Sequence, residues 1–174
     1  MLLTYIESDT IVAKSLEYSG NSAALYLYGG AEVDLNNSFF SGNTAGISQI
    51  RGEYIEINKL TYTGNTATLL LRPGTYVTID GSEFTKNKAV ALTGNDKDVI
   101  IFNTKFVEND ASLFDFEEGN LVLVDSVIKD NSVYPTKYNN YTKSSLAYTN
   151  TLEKMENVQV VGNAVHDGHG FSVG

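Results

Sequence analysis

The sequence predicts an all-β fold, a parallel β-helix with about 22 residues per coil, and three observations predict it. The first is a ladder of asparagines: Asn21, Asn43, Asn65, Asn87, Asn109 and Asn131 fall 22 residues apart, and Asn163 follows after 32. The second is an aromatic column three residues before each rung: Tyr18, Phe40, Tyr62, Phe84 and Phe106, continued by Ile128 and Val160. The third is strand-like alternation, as in Val77-x-Ile79 and Ala67-x-Leu69-x-Leu71. A fixed period of this size marks a solenoid.

Each position of the repeat has a physical reason. Ten and eight residues before each rung stand Ile11/Ala13, Val33/Leu35, Ile55/Ile57, Val77/Ile79, Val99/Ile101 and Leu121/Leu123, the inward side of one strand. Two residues after it stand Ala23, Ala45, Ala67, Ala89 and Ala111, then Val133 and Val165, which keep the corner narrow. Four after it stand Leu25, Ile47, Leu69, Ala91 and Leu113, a further inward set. Asn36-Asn37, Gly42-Asn43 and Asp80-Gly81 separate these strands with residues that tolerate left-handed backbone. The remaining stretch drifts in length and carries Gly29-Gly30, Arg51-Gly52 and Arg72-Pro73-Gly74, as an outer loop would. One coil is therefore three short strands and three bends, and the consensus reads V-x-I-x-x-S-x-F-x-x-N-x-A-x-L. Coils stacked about 4.8 Å apart place the seven rungs over about 29 Å. An amide pointing into each bend satisfies its neighbours above and below. Replacing a central rung should thus cost about 1–3 kcal/mol. The rings above one another should stack with an offset, adding about 0.5–1.5 kcal/mol per pair.

A leucine-rich repeat shares the period and the L-x-L-x-x-N-x-L core. It requires helical spacing in the second half of each repeat, where Leu69 to Val77 reads strand, turn, strand.

Residues 1–174 form one domain. Ile11, Ala13, Leu16 and Tyr18 are in phase, whereas the chain before Thr10 is ragged. The interval from Asn131 to Asn163 holds ten residues more than one period, and they fall within 133–145, around Tyr134-Pro135-Thr136-Lys137-Tyr138-Asn139-Asn140-Tyr141. An insertion confined to one coil bulges outward, which makes Tyr134, Tyr138 and Tyr141 candidate contact residues. Neither end carries a cap, so the chain is expected to be a segment of a longer solenoid, or to meet further β-helix coils end to end.

Composition narrows the function. The net charge of −9 argues against a nucleic-acid groove, and no cysteine is present to form disulfides or thiolate metal sites. No apolar run approaches the roughly 18 residues of a membrane span. Met1-Leu2-Leu3 is followed at once by Thr4, Tyr5 and Glu7, so a signal peptide is absent or already removed. No P-loop, Rossmann or G-x-S-x-G signature occurs, and the sequence implies no cofactor. Asp96-Lys97-Asp98 and Glu117-Glu118 recur at one place in successive coils. Stacked carboxylates could hold Ca²⁺, although a solvated acidic face is the simpler reading of them. Arg51 and Arg72 lie in earlier coils than these acids. His166 and His169 flank Asp167 without a third spaced ligand, so no metal site is assigned.

Two resemblances follow from these residues. Phe40-Ser41-Gly42-Asn43, Phe84-Thr85-Lys86-Asn87 and Phe106-Val107-Glu108-Asn109, with Gly29-Gly30-Ala31, resemble the F-x-x-N and G-G-A repeats of chlamydial polymorphic outer-membrane proteins and related surface adhesins. Their passengers are right-handed β-helices of the pectin-lyase-like type. That likeness implies a right-handed fold, an extracellular or cell-surface location, and a partner that is another protein or a glycan on a surface. Gly168 to Gly174 is similar to the G-H-G-[IL]-S-[IV]-G segment of polygalacturonases, which implies an alternative role for His169 beside Asp167 in polysaccharide hydrolysis. That chemistry needs two carboxyls about 6.5–9.5 Å apart. Here Asn103-Thr104-Lys105 lacks the aspartate of the N-T-D motif, and no Asp-Asp pair exists. The leading expectation is a non-catalytic rigid stalk or adhesin-like segment binding through its outer loops. A polysaccharide-active enzyme and a scaffold assembling through its ends are the alternatives.

Overall fold

The structure, a computed structural model, describes residues 3–44, 47–88, 92–94, 97–134, 136–138, 141–143, 145–166 and 169–173. Among them the regular elements are all strands. Nine strands form one sheet and seven form a second, each built from parallel neighbours one coil apart.

Most coils supply one long strand and one short one, whereas Leu92–Gly94, Asp98–Phe102 and Lys105–Val107 are separate strands of a single coil. Ala24–Asn36 is followed by Phe39–Ser41, Ile47–Asn58 by Thr61–Thr63, and Thr68–Asp80 by Glu83–Thr85. Three separate strands per coil are expected from the sequence, and here two of them run into one. The bend between them is a short irregularity across which pairing resumes, between Tyr28 and Glu32 in one coil and between Gly52 and Tyr54 in the next. Gly29 and Gly52 are buried at this corner. A Cβ on Gly29 would strike the carbonyl of Glu32 and the side chain of Val33, so the turn leaves no room for a side chain.

The other two bends recur with left-handed backbone. Ser15, Asn37, Lys59, Gly81, Asn103, Asp125 and Asn157 have φ between 49° and 58°, each six residues before a ladder Asn. Gly20, Gly42, Gly64, Lys86, Glu108, Asp130 and Gly162 repeat the conformation one residue before it. Side chains normally avoid this region, and lysine and glutamate hold it here because the pairing on both sides fixes the bend.

The core is a stack of equivalent side chains. Val33, Leu35, Ile55, Ile57, Val77, Ile79, Val99, Ile101, Leu121 and Leu123 are buried, as expected. Tyr18 pairs in register with Phe40, Phe40 with Tyr62, Tyr62 with Phe84 and Phe84 with Phe106. Their geometry differs from uniform stacking. The first three pairs are tilted by 34–47°, and Phe84 and Phe106 are stacked at 5.1 Å and 11°. Tyrosine alternates with phenylalanine in the upper column, and each tyrosine turns to place its hydroxyl. Tyr62 Oη donates to the Ala67 carbonyl at 2.5 Å and Tyr18 Oη to that of Ala23 at 2.7 Å. Phe114 and Phe116 continue the cluster from the facing sheet.

Burial pushes the Tyr62 phenol well above its ordinary value. The folded protein keeps this proton where the unfolded chain gives it up. The resulting stability is complete below about pH 10 and is lost as the pH rises past it. Tyr62→Phe should therefore cost about 1 kcal/mol at neutral pH and yet flatten the alkaline decline. Urea midpoints for both proteins near neutrality and in alkali test this; parallel declines would refute it.

Three expectations change. The chain before Thr10 is not ragged: Leu3–Lys14 is one strand, with Leu3 to Ser8 paired to Ala24 to Gly29. Before Thr10 backbone pairing is the main hold, since Tyr5 and Ile6 stay exposed, with the Tyr5 ring resting beside that of Tyr28. Ile47 does not join the inner column and is 45% exposed, while Ser48 occupies the place opposite Leu69. That coil carries one extra residue before Ile47 and one fewer after it, and a slip of one residue exchanges the two faces of a strand. Val160 is also exposed. Within 133–145, Thr136–Tyr138 pairs antiparallel with Tyr141–Lys143, a small hairpin attached to an otherwise parallel solenoid.

Candidate ligand-binding cleft

The interior polar groups are committed to neighbouring coils. Asn43 Nδ2 donates to the Tyr18 carbonyl at 2.8 Å and to Asn65 Oδ1 at 2.9 Å, and the Asn43 backbone N–H shares that oxygen at 2.9 Å. Asn65, Asn87, Asn109 and Asn131 repeat the arrangement, the last against Asn163. Asn21 donates to Asn43 at the first rung. A second ladder lines the other bend. Ser38, Ser82, Thr104 and Ser126 are buried, and their hydroxyls accept from the backbone N–H of Leu16, Leu60, Ser82 and Thr104. Among the described residues no buried side-chain nitrogen or oxygen lacks a partner. Chemistry toward a ligand therefore falls to outward side chains.

An open cleft of about 1000 Å³ lies on the outside of the Gly29–Gly52 corner. The pairing register aligns Glu7, Tyr28, Arg51 and Arg72 as one outward column along four successive coils. Neighbours in such a column are about 4.8 Å apart. Arg51 Nη1 and Gln49 Nε2 both donate to Tyr28 Oη at 3.2 Å, and the Arg51 guanidinium carbon is 5.2 Å from the Tyr28 ring centre. The Tyr5 ring lies 5.7 Å from that of Tyr28. Its hydroxyl donates to Glu7 Oε2 at 2.9 Å. Asp9, Glu53, Pro73, Gly74 and Lys97 also line the cleft, with Thr75 Oγ1 donating to Glu53.

The charges shape one another. The hydrogen bond from Arg51 holds the Tyr28 phenol below its ordinary value and raises Arg51 in turn. The bond to Glu7 raises Tyr5. Arg72 makes no hydrogen bond or ion pair with another described residue, and Arg51 spends one donor, on Tyr28.

The residues proposed from sequence are placed as follows. Tyr134 is exposed, with its ring stacked on His166 at 4.3 Å and 5°. The side chains of Tyr138 and Tyr141 lie outside the described residues. Asp167 lies outside them too, as does the His169 side chain; the His169 backbone opens the strand His169–Val173, paired to Ser145. Asp98 accepts from the backbone N–H of Asn120, and Asp96 and the Glu117 and Glu118 side chains are outside the described set. Among the described residues no three acidic or histidine side chains converge as a metal site would require. The cleft itself is what sequence reasoning missed. Its residues sit in the variable stretch, but Tyr28, Arg51 and Arg72 are 23 and 21 apart and so break the 22-residue beat. The extra residue that turns Ile47 outward also brings Arg51 level with Arg72.

Two stacked parallel sheets, a satisfied asparagine ladder and tight recurrent bends define a parallel β-solenoid. The model of the right-handed β-helix region matches residues 5–173, and the chain belongs to this family. No curated protein and no solved structure matches the chain.

Proposed function

We propose that this chain is a rigid, non-catalytic β-helical segment of a larger surface or secreted protein, binding another protein or a glycan through its outward side chains. One observation carries the reading. The cleft presents Tyr28, Arg51 and Arg72 on strands paired on both sides, so the backbone that carries them is fixed before any ligand arrives, and the Tyr28 hydroxyl is held by Arg51 and Gln49. Preorganisation of this kind lowers the entropic cost of binding. The hairpin at 136–143 and Tyr134 offer a second contact surface on the same reading. The test is a glycan array together with incubation on acidic and neutral polysaccharides. Retention without change in chain length is expected; release of new reducing ends or unsaturated ends would overturn the non-catalytic reading.

A further inference from the structure

We propose that the outer face of the long strands, past the corner from the cleft, is a docking surface for a cationic amphipathic helix of a partner protein. The inference extends the reading of the chain as a binding segment to a second surface and names the partner's chemistry.

A lapse in the strand alternation marks the surface. One face of each solenoid strand meets water, so apolar and polar residues should alternate along it. They do in Val33-Asp34-Leu35-Asn36, Ile55-Glu56-Ile57-Asn58 and Val77-Thr78-Ile79-Asp80. The next two coils read Val99-Ile100-Ile101-Phe102 and Leu121-Val122-Leu123-Val124. Continuous apolar runs of this kind belong to strands covered on both faces. Val99, Ile101, Leu121 and Leu123 fill the core, which leaves Ile100, Phe102, Val122 and Val124 outward and half-buried. Ile100 lies opposite Val122 and Phe102 opposite Val124, so the four side chains form one block. Polar residues return one coil on, at Lys154 and Glu156. The fold does not require the block, because Asp34, Glu56 and Thr78 occupy the Ile100 position in earlier coils.

The block has an extension and a border. Tyr54, 41% exposed, and Tyr76 stand outward one column over, with ring centres 5.1 Å apart. Tyr76 is diagonal to Ile100, within reach of an aromatic side chain. With coils about 4.8 Å apart and about 3.3 Å per residue along a strand, the band from Tyr54 to Val124 runs obliquely for about 20 Å. About 14 residues of α-helix match that length and lay one apolar stripe along it. The border sets the sign of the helix. By register or along the strand, the charged neighbours of the band are Glu32, Glu56, Asp80, Asp98, Glu156 and Lys154. Lys154 is paired with Glu156 at 2.6 Å. Acids therefore flank the band on both sides, Glu56 and Asp80 on one and Asp98 on the other. Lysines and arginines beside an apolar stripe complement that border, and the net charge of −9 steers them toward it. A second copy seated about a two-fold axis would instead set carboxylates against carboxylates.

Three synthetic helices of about 14 residues serve as probes. One has a leucine stripe flanked by lysines, one has glutamate in place of each lysine, and one is a scramble of the first with its charge and no stripe. Fluorescence anisotropy on the whole chain should show the lysine helix binding roughly tenfold or more tightly than either of the others, and added salt should weaken it. Ile100→Thr/Val122→Thr and Glu56→Gln/Asp98→Asn should each weaken binding by about fivefold or more, whereas Phe39→Ala in the other sheet should leave it unchanged. Threonine suits a strand and already stands at Thr78, so the first variant should keep its cooperative unfolding. Hydroxyl-radical footprinting needs no variant. The bound lysine helix should protect Tyr54 and leave Phe39, at 40% equally exposed, as it was. Equal binding of the scramble, preference for the glutamate helix, or unprotected Tyr54 would overturn the proposal. So would sedimentation showing the chain pairing with itself through this face, with Ile100→Thr/Val122→Thr abolishing the pairing. A chain that retains an array ligand yet ignores all three helices keeps its binding role and loses this surface.

Discussion

Replacing Phe84 with alanine lowers the free energy of unfolding by about 3–5 kcal/mol, the upper range for a buried aromatic. Phe84 has no exposed surface and lies between Tyr62 at 5.8 Å and Phe106 at 5.1 Å. In many cores the surroundings collapse partly into such a gap. Here they cannot approach along the axis, because backbone pairing of Glu83–Thr85 with the strands above and below fixes the coil spacing. The cavity stays open and its lining loses contacts on both sides. Phe39→Ala is the internal control. Phe39 also sits in a short strand, beside the buried Phe40, but is 40% exposed on the outer side, so its loss should cost well under 1 kcal/mol. Urea unfolding of the two variants decides the matter. Comparable losses would show that inward and outward positions have been misassigned.

Much of this fold was legible because the same side chain recurs at the same place. The asparagines, the aromatics and the V-x-I pairs each meet their own kind one coil away, so a contact in space becomes a period in the sequence. Three features were hidden for identifiable reasons. The long bent strand looks like two in the sequence because Gly29 and Gly52 have the character of loop residues, and nothing local shows that pairing resumes beyond them. The hydroxyl ladder was half visible. Serine stands in the consensus five residues before the ladder Asn, but Leu16 and Leu60 interrupt it, and buried donors at a bend cannot be told from exposed ones by type alone. The cleft was the least legible. Its column depends on pairing register, and a one-residue gain followed by a one-residue loss preserves the overall period while moving Ile47 out and Arg51 into line. Counting from the ladder cannot reveal a shift that cancels before the next rung.

Asn65→Leu tests the ladder itself, and the structure makes the expected loss larger than a single hydrogen bond implies. Leucine has nearly the shape of asparagine, so packing changes little and the polar accounting dominates. Asn65 Oδ1 accepts from both the backbone N–H and the Nδ2 of Asn43, at 2.9 Å each, and Asn65 Nδ2 donates to the Phe40 carbonyl at 3.1 Å. The substitution deprives all three of these groups of that partner inside a site that is fully buried. An orphaned buried group costs about 1–3 kcal/mol, so a total of about 3–5 kcal/mol is expected. Asn87 fares better, because its Oδ1 keeps the backbone N–H of residue 65 at 3.0 Å. The same change at Asn21 makes the comparison sharp. Asn21 is half-buried and donates to Asn43 Oδ1 through both its side chain and its backbone. Leucine there removes one of those two bonds and strands no donor of another rung, for a cost of about 1 kcal/mol. Chemical denaturation of the two single variants therefore separates a cooperative ladder from a row of independent turn asparagines. Equal losses at Asn21 and Asn65 would mean that each amide serves only its own bend. A loss several-fold greater at Asn65 means that each rung is held by the one after it, so that removing one amide disturbs its predecessor as well as its own bend.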